Sequence, residues 1–245
     1  MKGEGRNGLF AVVMIRRCFV LIAAFICAAV LALALCLNIQ RTPGYNGDGE
    51  MLSTEVYETF SFPYKVQDFD IILEKISAYE GPFLEDGTDD EVVDIAALHI
   101  YNGSDKLLSN VFVELFWQSG SYIFEGKNIP PNSTVLLLEK NRSVYAENTY
   151  IHCLSWCKIS GGFNIQDYIS VSEIGLGTIT VTNLTNNAFY NVNLYHKIWL
   201  TPPDIYVGGI TYHTIISRLL PNETITLKPY HYAAGYSKIV FVTVD

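Results

Sequence analysis

Residues 100–113 read IYNGSDKLLSNVFV and residues 181–194 read VTNLTNNAFYNVNL. Ile100, Asn102, Ser104, Asn110, Val111 and Val113 are answered by Val181, Asn183, Thr185, Asn191, Val192 and Leu194, all displaced by the same interval. Further on, Pro131, Asn132, Thr134, Val135 and Leu137 return as Pro221, Asn222, Thr224, Ile225 and Leu227, with nine extra residues now lying between the two blocks. A duplicated unit with an insertion in its second copy is the simplest reading, and it bounds the fold. The residue types suggest the local structure. Asn with Gly, Ser or Thr makes turns, and NVFVELFW at 110–117 alternates with the two-residue period of a strand that has one buried face. The Asn and Ser/Thr pair is therefore expected to close a hairpin, the Asn-Val strand to fill the core, and Pro-Asn-x-Thr to start the next strand.

The expected strands of the first copy are 67–79, 92–101, 110–117, 121–126 and 134–139. Those of the second are 176–182, 189–200, 205–211, 214–219, 223–227 and 236–244. Short strands with turn signals every 8 to 12 residues indicate antiparallel sandwiches. Composition agrees, since 16 tyrosines and 13% aromatic against 17% charged residues suit half-buried pleated surfaces. The expected fold is mainly β, with one N-terminal transmembrane helix followed by two tandem antiparallel immunoglobulin-like β-sandwich modules.

The segment CFVLIAAFICAAVLALALCL, residues 18–37, contains no charge and no strongly polar side chain. At about 1.5 Å per residue it reaches roughly 30 Å, the thickness of a hydrocarbon core. Arg16 and Arg17 precede it, so the positive-inside tendency puts residues 1–17 in the cytoplasm and the rest outside. A single-pass signal anchor at 18–38 is expected, with a cleavable signal peptide ending near Ala32 and Ala34 as the main alternative. Twin-arginine, lipoprotein and prepilin signals match less well. A linker at 39–65, rich in Gly and Pro, then leads to module 1 at 66–170 and module 2 at 171–245. Beyond residue 17 there are 12 basic and 24 acidic residues, a balance of −12. Such a surface disfavours nucleic acid as a partner.

The pairing of N-(G/L)-(S/T) and N-V-x-(V/L) with P-N-x-T-(V/I)-x-L resembles bacterial extracytoplasmic immunoglobulin-like modules of the FxLYD type. Together with Glu85-Asp86-Gly87, Leu136 to Asn141, Gly208 to Tyr212 and Pro229 to Ser237, it is similar to a group of uncharacterised membrane-anchored extracytoplasmic proteins of Gram-positive anaerobes. The resemblance spans residues 80–245. It implies a fold and a cell-membrane location with the C-terminal domains outside, and it supplies no activity. Asn132 and Asn222 replace the usual Gly of those modules, and Asn also accepts a left-handed turn.

Three groups are candidates for chemistry or recognition. His152, Cys153 and Cys157 (HCLSWC) are read as a disulfide between Cys153 and Cys157 if the chain turns there, because in a strand the two would lie about 13 Å apart, beyond bridging distance. Buried thiols, or a redox or metal centre, are the alternatives. The acidic turn of Glu85, Asp86, Asp89, Asp90, Glu91 and Asp94 reads as solvated, and it lacks the alternation of a calcium loop. Tyr206, Tyr212, His213, Tyr230, His231, Tyr232 and Tyr236 offer rings with polar tips, as found at interaction surfaces. Their simpler reading is core and rim. Five Asn-x-Ser/Thr triplets begin at Asn102, Asn132, Asn141, Asn183 and Asn222, and four of them coincide with the expected turns.

No nucleophile elbow, phosphate loop or HExxH motif occurs, so no enzyme activity, metal or cofactor is expected. The expected role is non-catalytic, a binding or scaffold protein of the bacterial cell envelope with a protein or cell-wall glycan ligand. An envelope redox or metal-handling protein and a surface carbohydrate-binding module are the alternatives.

Overall fold

The structure, a computed structural model, describes residues 51–56, 59–66, 70–88, 90–159 and 165–244. The expected tail, membrane segment and first part of the linker lie outside the described residues. Among those described, no helix is long and apolar enough to cross a membrane. The described residues are mainly β, with one 3-10 turn among them at Gln166–Tyr168.

The strands are β1 (Met51–Val56), β2 (Tyr64–Lys65), β3 (Ile71–Phe83), β4 (Asp90–Asn102), β5 (Leu108–Trp117), β6 (Gly120–Ile129), β7 (Ser133–Leu138) and β8 (His152–Ile159). They continue as β9 (Ile169–Gly175), β10 (Thr178–Asn183), β11 (Phe189–Leu200), β12 (Ile205–Leu219), β13 (Thr224–Leu227) and β14 (Ser237–Val244). In the first copy the sheet β1-β8-β5-β6 packs on β2-β3-β4-β7. In the second, β13-β10-β9 packs on β14-β11-β12. Strands β3–β8 of the first copy correspond in order and register to β9–β14 of the second, and β1 and β2 are additions to the first. Ile100 pairs with Val135 as Val181 pairs with Ile225, and Val111 pairs with Gly126 as Val192 pairs with Ile216. The repeated apolar positions Ile100, Val111, Val113, Val181, Val192 and Leu194 are all buried in the two cores.

Of the repeated asparagines, Asn102 and Asn183 are buried hubs, and the turn they make differs from the expected hairpin. Each ends a strand in one sheet just before the chain crosses to the facing sheet, so the turn is a corner between sheets. Asn102 Nδ2 donates to the carbonyls of Lys106 (2.9 Å), Ile129 (3.3 Å) and Pro130 (2.9 Å), while its Oδ1 accepts from Ser104 N and Oγ. Asn183 Nδ2 donates to Asn187 (2.7 Å), Leu219 (3.3 Å) and Leu220 (2.9 Å), and its Oδ1 accepts from Thr185 N and Oγ1. One amide thus satisfies backbone groups that the corner would otherwise leave buried and unpaired. Asn132 and Asn222 take the left-handed turn expected of them, with φ of 51° and 56°. Asn102 and Asn183 are fully buried, so neither is a surface glycosylation acceptor.

The copies are joined edge to edge. β12 pairs with β7 in parallel, Tyr206 with Val135 and Val207 with Leu136, which makes one seven-stranded sheet β14-β11-β12-β7-β4-β3-β2. The sandwiches are therefore not wholly antiparallel. The residues that pair lie in the nine-residue insertion, which lengthens the β11–β12 hairpin into an arm reaching the first copy. β12 is accordingly one strand of 15 residues where two were expected. Tyr206, Val240 and Phe241 of the second copy pack into the core of the first.

Two charged side chains lock this junction. Glu85 Oε1 accepts from Leu138 N (3.0 Å) and Gly209 N (2.7 Å), and Oε2 accepts from Gly209 N at 2.8 Å. Lys197, fully buried, donates to the carbonyls of Lys127 (3.0 Å), Gly209 (3.2 Å) and Ile210 (2.7 Å) and to Thr211 Oγ1 (3.2 Å). Burial pushes the Lys197 ammonium down to about 7, against the pull of Glu85, and burial raises Glu85. Gly209 has no room for a side chain, because a Cβ there would run into the Glu125 carbonyl oxygen.

Three further expectations are corrected. β1 and β2 lie within the expected linker, and β1 pairs along β8, so residues 51–56 belong to the first sandwich. Leu176, expected to open a strand, sits at the β9–β10 turn with φ of 54° and is 91% exposed. β9 had no counterpart among the expected strands, because its exposed Ser and Glu mask its alternation.

Candidate binding cleft

The expected interaction surface divides among several places. Tyr212 on β12 and His231, Tyr232 and Tyr236 from the loop between β13 and β14 line one cleft of about 590 Å³. Tyr206 is buried in the junction core, its phenol pushed up to about 12 by burial and by Asp204. His213 follows Tyr212 on the strand and so faces the other way, stacked on Tyr195 at 4.6 Å with Nε2 2.8 Å from Asn193 Oδ1. Tyr230 is exposed and meets His231 edge-on at 3.9 Å.

Apart from Glu91 of the acidic turn, the rest of the cleft comes from residues the sequence did not single out. Tyr79, Pro82, Leu84 and Glu91 of the first copy form one wall, and Ile198, Leu200 and Val207 of the arm complete the apolar floor. Leu200 and Val207 flank and enter the insertion, the only sequence signal that pointed here. Nothing in the sequence tied Tyr79 or Glu91 to a loop some 140 residues away. Tyr79 is held by its hydroxyl donating to Pro82 O at 2.9 Å. Its phenol is pushed up to about 12 by burial, then by the nearby carboxylates of Glu91 and Glu85.

The β13–β14 loop is anchored rather than loose. Tyr232 N donates to Pro229 O (3.3 Å), Ala233 N to Ser237 Oγ (2.9 Å) and Gly235 N to Glu173 Oε2 (3.2 Å). Gly177 lets the β9–β10 turn lie against it, since a Cβ there would strike Tyr232 O. Burial and Glu173 raise the Tyr232 phenol. Beneath the loop, His196 is fully buried between Tyr212 and Tyr232, with both ring centroids at 5.2 Å.

Burial pushes His196 down to about 4, despite the opposing backbone contact with His231, and burial with Lys75 does the same to half-buried His99. An unfolded imidazole takes up its proton near pH 6.5, so between that value and about 4 the unfolded chain binds more protons. Stability must then fall as pH drops through this window. His196 alone supplies a slope of up to about 1.4 kcal/mol per pH unit. Urea unfolding at pH 7 and pH 5 is expected to show a lower midpoint at pH 5, and an unchanged or higher midpoint would contradict it.

HCLSWC is strand β8. The extended backbone holds Cys153 and Cys157 apart on the same inward face, and they form no disulfide. Cys157 pairs with Val111 as Val244 pairs with Val192, so it occupies a core position that the other copy fills with valine. Burial pushes the Cys153 thiol up to about 12, which keeps it protonated and unreactive. His152 stacks on Phe116 at 4.6 Å and meets Glu55 at 3.0 Å. In the acidic turn, Asp86 and Asp90 are engaged by Arg142 at 2.6 and 3.1 Å, and Glu85 turns inward to the junction. Among the described residues no group of three His, Cys, Asp or Glu side chains is placed to hold a metal ion.

A second hollow of about 540 Å³ lies on the first copy beside Phe60, Phe62, Ile76, Tyr145 and Tyr150. Its rings already pack on one another, Phe60 on Tyr150 at 5.9 Å and Phe62 on Tyr150 at 5.7 Å. It is the more polar of the two, and the junction cleft is the better candidate. No known family and no curated protein matches this chain.

Proposed function

We propose that the chain is a non-catalytic binding protein, anchored in the membrane by residues 18–38, whose two immunoglobulin-like modules form one extracytoplasmic platform in the bacterial cell envelope. The junction cleft is its recognition site. One observation carries this reading: the cleft is walled by residues of both copies, and none of them belongs to the duplicated pattern. The shared residues build the fold, while the unshared ones converge on a concave, mostly apolar site of the size small ligands use. The order β3-β4-β7 over β8-β5-β6 supports the immunoglobulin-like assignment. The envelope address rests on the apolar segment and on the resemblance to anchored FxLYD-like proteins.

Ala233 is exposed and lines the cleft, so Ala233→Trp fills it without disturbing the core. Apolar, aromatic and glycan fragments, screened by ligand-observed NMR against the full chain in non-ionic detergent, are expected to give hits that vanish in this variant. Hits that persist, or none at all, contradict the proposal. Stacking of sugars on Tyr232 and Tyr236 is the second reading, and it requires glycans to dominate the hits.

A further inference from the structure

The junction cleft carries a charge pattern that narrows its ligand. Three tyrosines, Tyr79, Tyr232 and Tyr236, offer rings to its walls, while Tyr212 is itself stacked by His196 at 5.2 Å and by the lining His231 at 4.7 Å, and Glu91 is the lining carboxylate. Two more carboxylates stand behind these walls, Glu85 close enough to act on Tyr79 and Glu173 on Tyr232. Among the described residues no lysine or arginine lines the cleft. Lys197 beside the floor is committed to four protein oxygens, and Lys228 at the start of the loop lies outside the lining. Arg142, the cation of the neighbouring acidic turn, is committed to Asp86 and Asp90.

Ring faces carry negative potential and attract cations, most strongly where water is partly excluded. Glu91 in the lining and Glu173 behind Tyr232 add to that field and repel anions, while Glu85 and Lys197 offset each other. The floor of Leu84, Ile198, Leu200 and Val207 takes alkyl groups. We infer that the cleft binds a small soluble organic cation, an alkylammonium whose methyl groups lie on the rings and whose charge is met by Glu91. This rests on the cleft being the recognition site, and it adds the ligand class.

The test uses choline, its uncharged carbon counterpart 3,3-dimethylbutan-1-ol, and the anion 3,3-dimethylbutanoate, titrated by ligand-observed NMR into the full chain in non-ionic detergent. Choline is expected to bind at least tenfold more tightly than the alcohol, and the carboxylate not to bind. Ala233→Trp is expected to abolish the choline signal, and Glu91→Gln, an exposed substitution, to weaken it severalfold. Equal binding of choline and the alcohol, sensitive to Ala233→Trp, overturns the cation inference while leaving the cleft as a recognition site. Choline binding that Ala233→Trp leaves intact, or no binding by choline, overturns the inference, and the fragment screen then decides separately whether the cleft binds anything.

Discussion

Gly209→Ala is expected to cost about 3 to 5 kcal/mol and to loosen the junction between the two copies. The added methyl meets the Glu125 carbonyl oxygen and lies 2.7 Å from Glu85 Oε2, and neither group is the far end of a flexible chain free to swing away. Overpacking alone costs about 1 to 3 kcal/mol. Moving the strand to relieve it breaks the bonds from Gly209 N to Glu85 and leaves a buried carboxylate short of donors, which adds a similar amount. The cost is steric, because Gly209 does not sit at positive φ. Gly235, at φ of +74° with open space around it, provides the control. Its alanine variant should lose only about 1 kcal/mol, the backbone cost of a left-handed residue. Urea unfolding of the two variants measures the difference, and equal losses would refute the packing account.

Asn102→Ala and Asn183→Ala are each expected to lose about 3 kcal/mol. Each removes a donor to three carbonyls and an acceptor for one amide and one hydroxyl, at a site with no solvent access. Leaving buried groups unpaired costs about 1 to 3 kcal/mol apiece when nothing relaxes to meet them. Asn→Asp at either position should be no better, since it keeps the acceptor and turns a second oxygen towards the carbonyls. Asn222→Gly, by contrast, keeps the positive φ available and should change stability by less than about 1 kcal/mol. Urea midpoints for these variants give the comparison, and an Asn102→Ala protein as stable as Asn222→Gly would contradict the buried-hub reading.

The alternation of NVFVELFW and the two Asn blocks were legible as sandwich strands and their connections, because core-facing periodicity and turn chemistry are local properties. Their deeper role was not. An Asn followed by Ser or Thr reads as a surface turn, and only the facing sheet reveals that Asn102 and Asn183 are enclosed. The insertion was visible as a difference in spacing, yet its pairing with β7 depends on two edges meeting in parallel, which no local pattern encodes. Lys197 and Glu85 look like ordinary solvent-facing charges, and only their burial at the junction shows otherwise. HCLSWC drew attention by composition and hid its strand, because it turns Cys153, Ser155 and Cys157 inward and leaves Leu154 and Trp156 half-buried, so no apolar alternation marks it. Of the expected surface residues, Tyr212, His231, Tyr232 and Tyr236 converge on the cleft. Tyr206 and His213 do not, because successive residues of a strand face opposite sides and the hairpin arm carries Tyr206 into the core.

The two copies are one body, joined by the inserted arm, so that the cleft between them is a preformed site. Scanning calorimetry of the full chain tests it directly. Fused copies sharing a core must unfold together, giving a single transition whose calorimetric and van't Hoff enthalpies agree. Two resolved transitions, with one copy melting while the other stays folded, would contradict the claim.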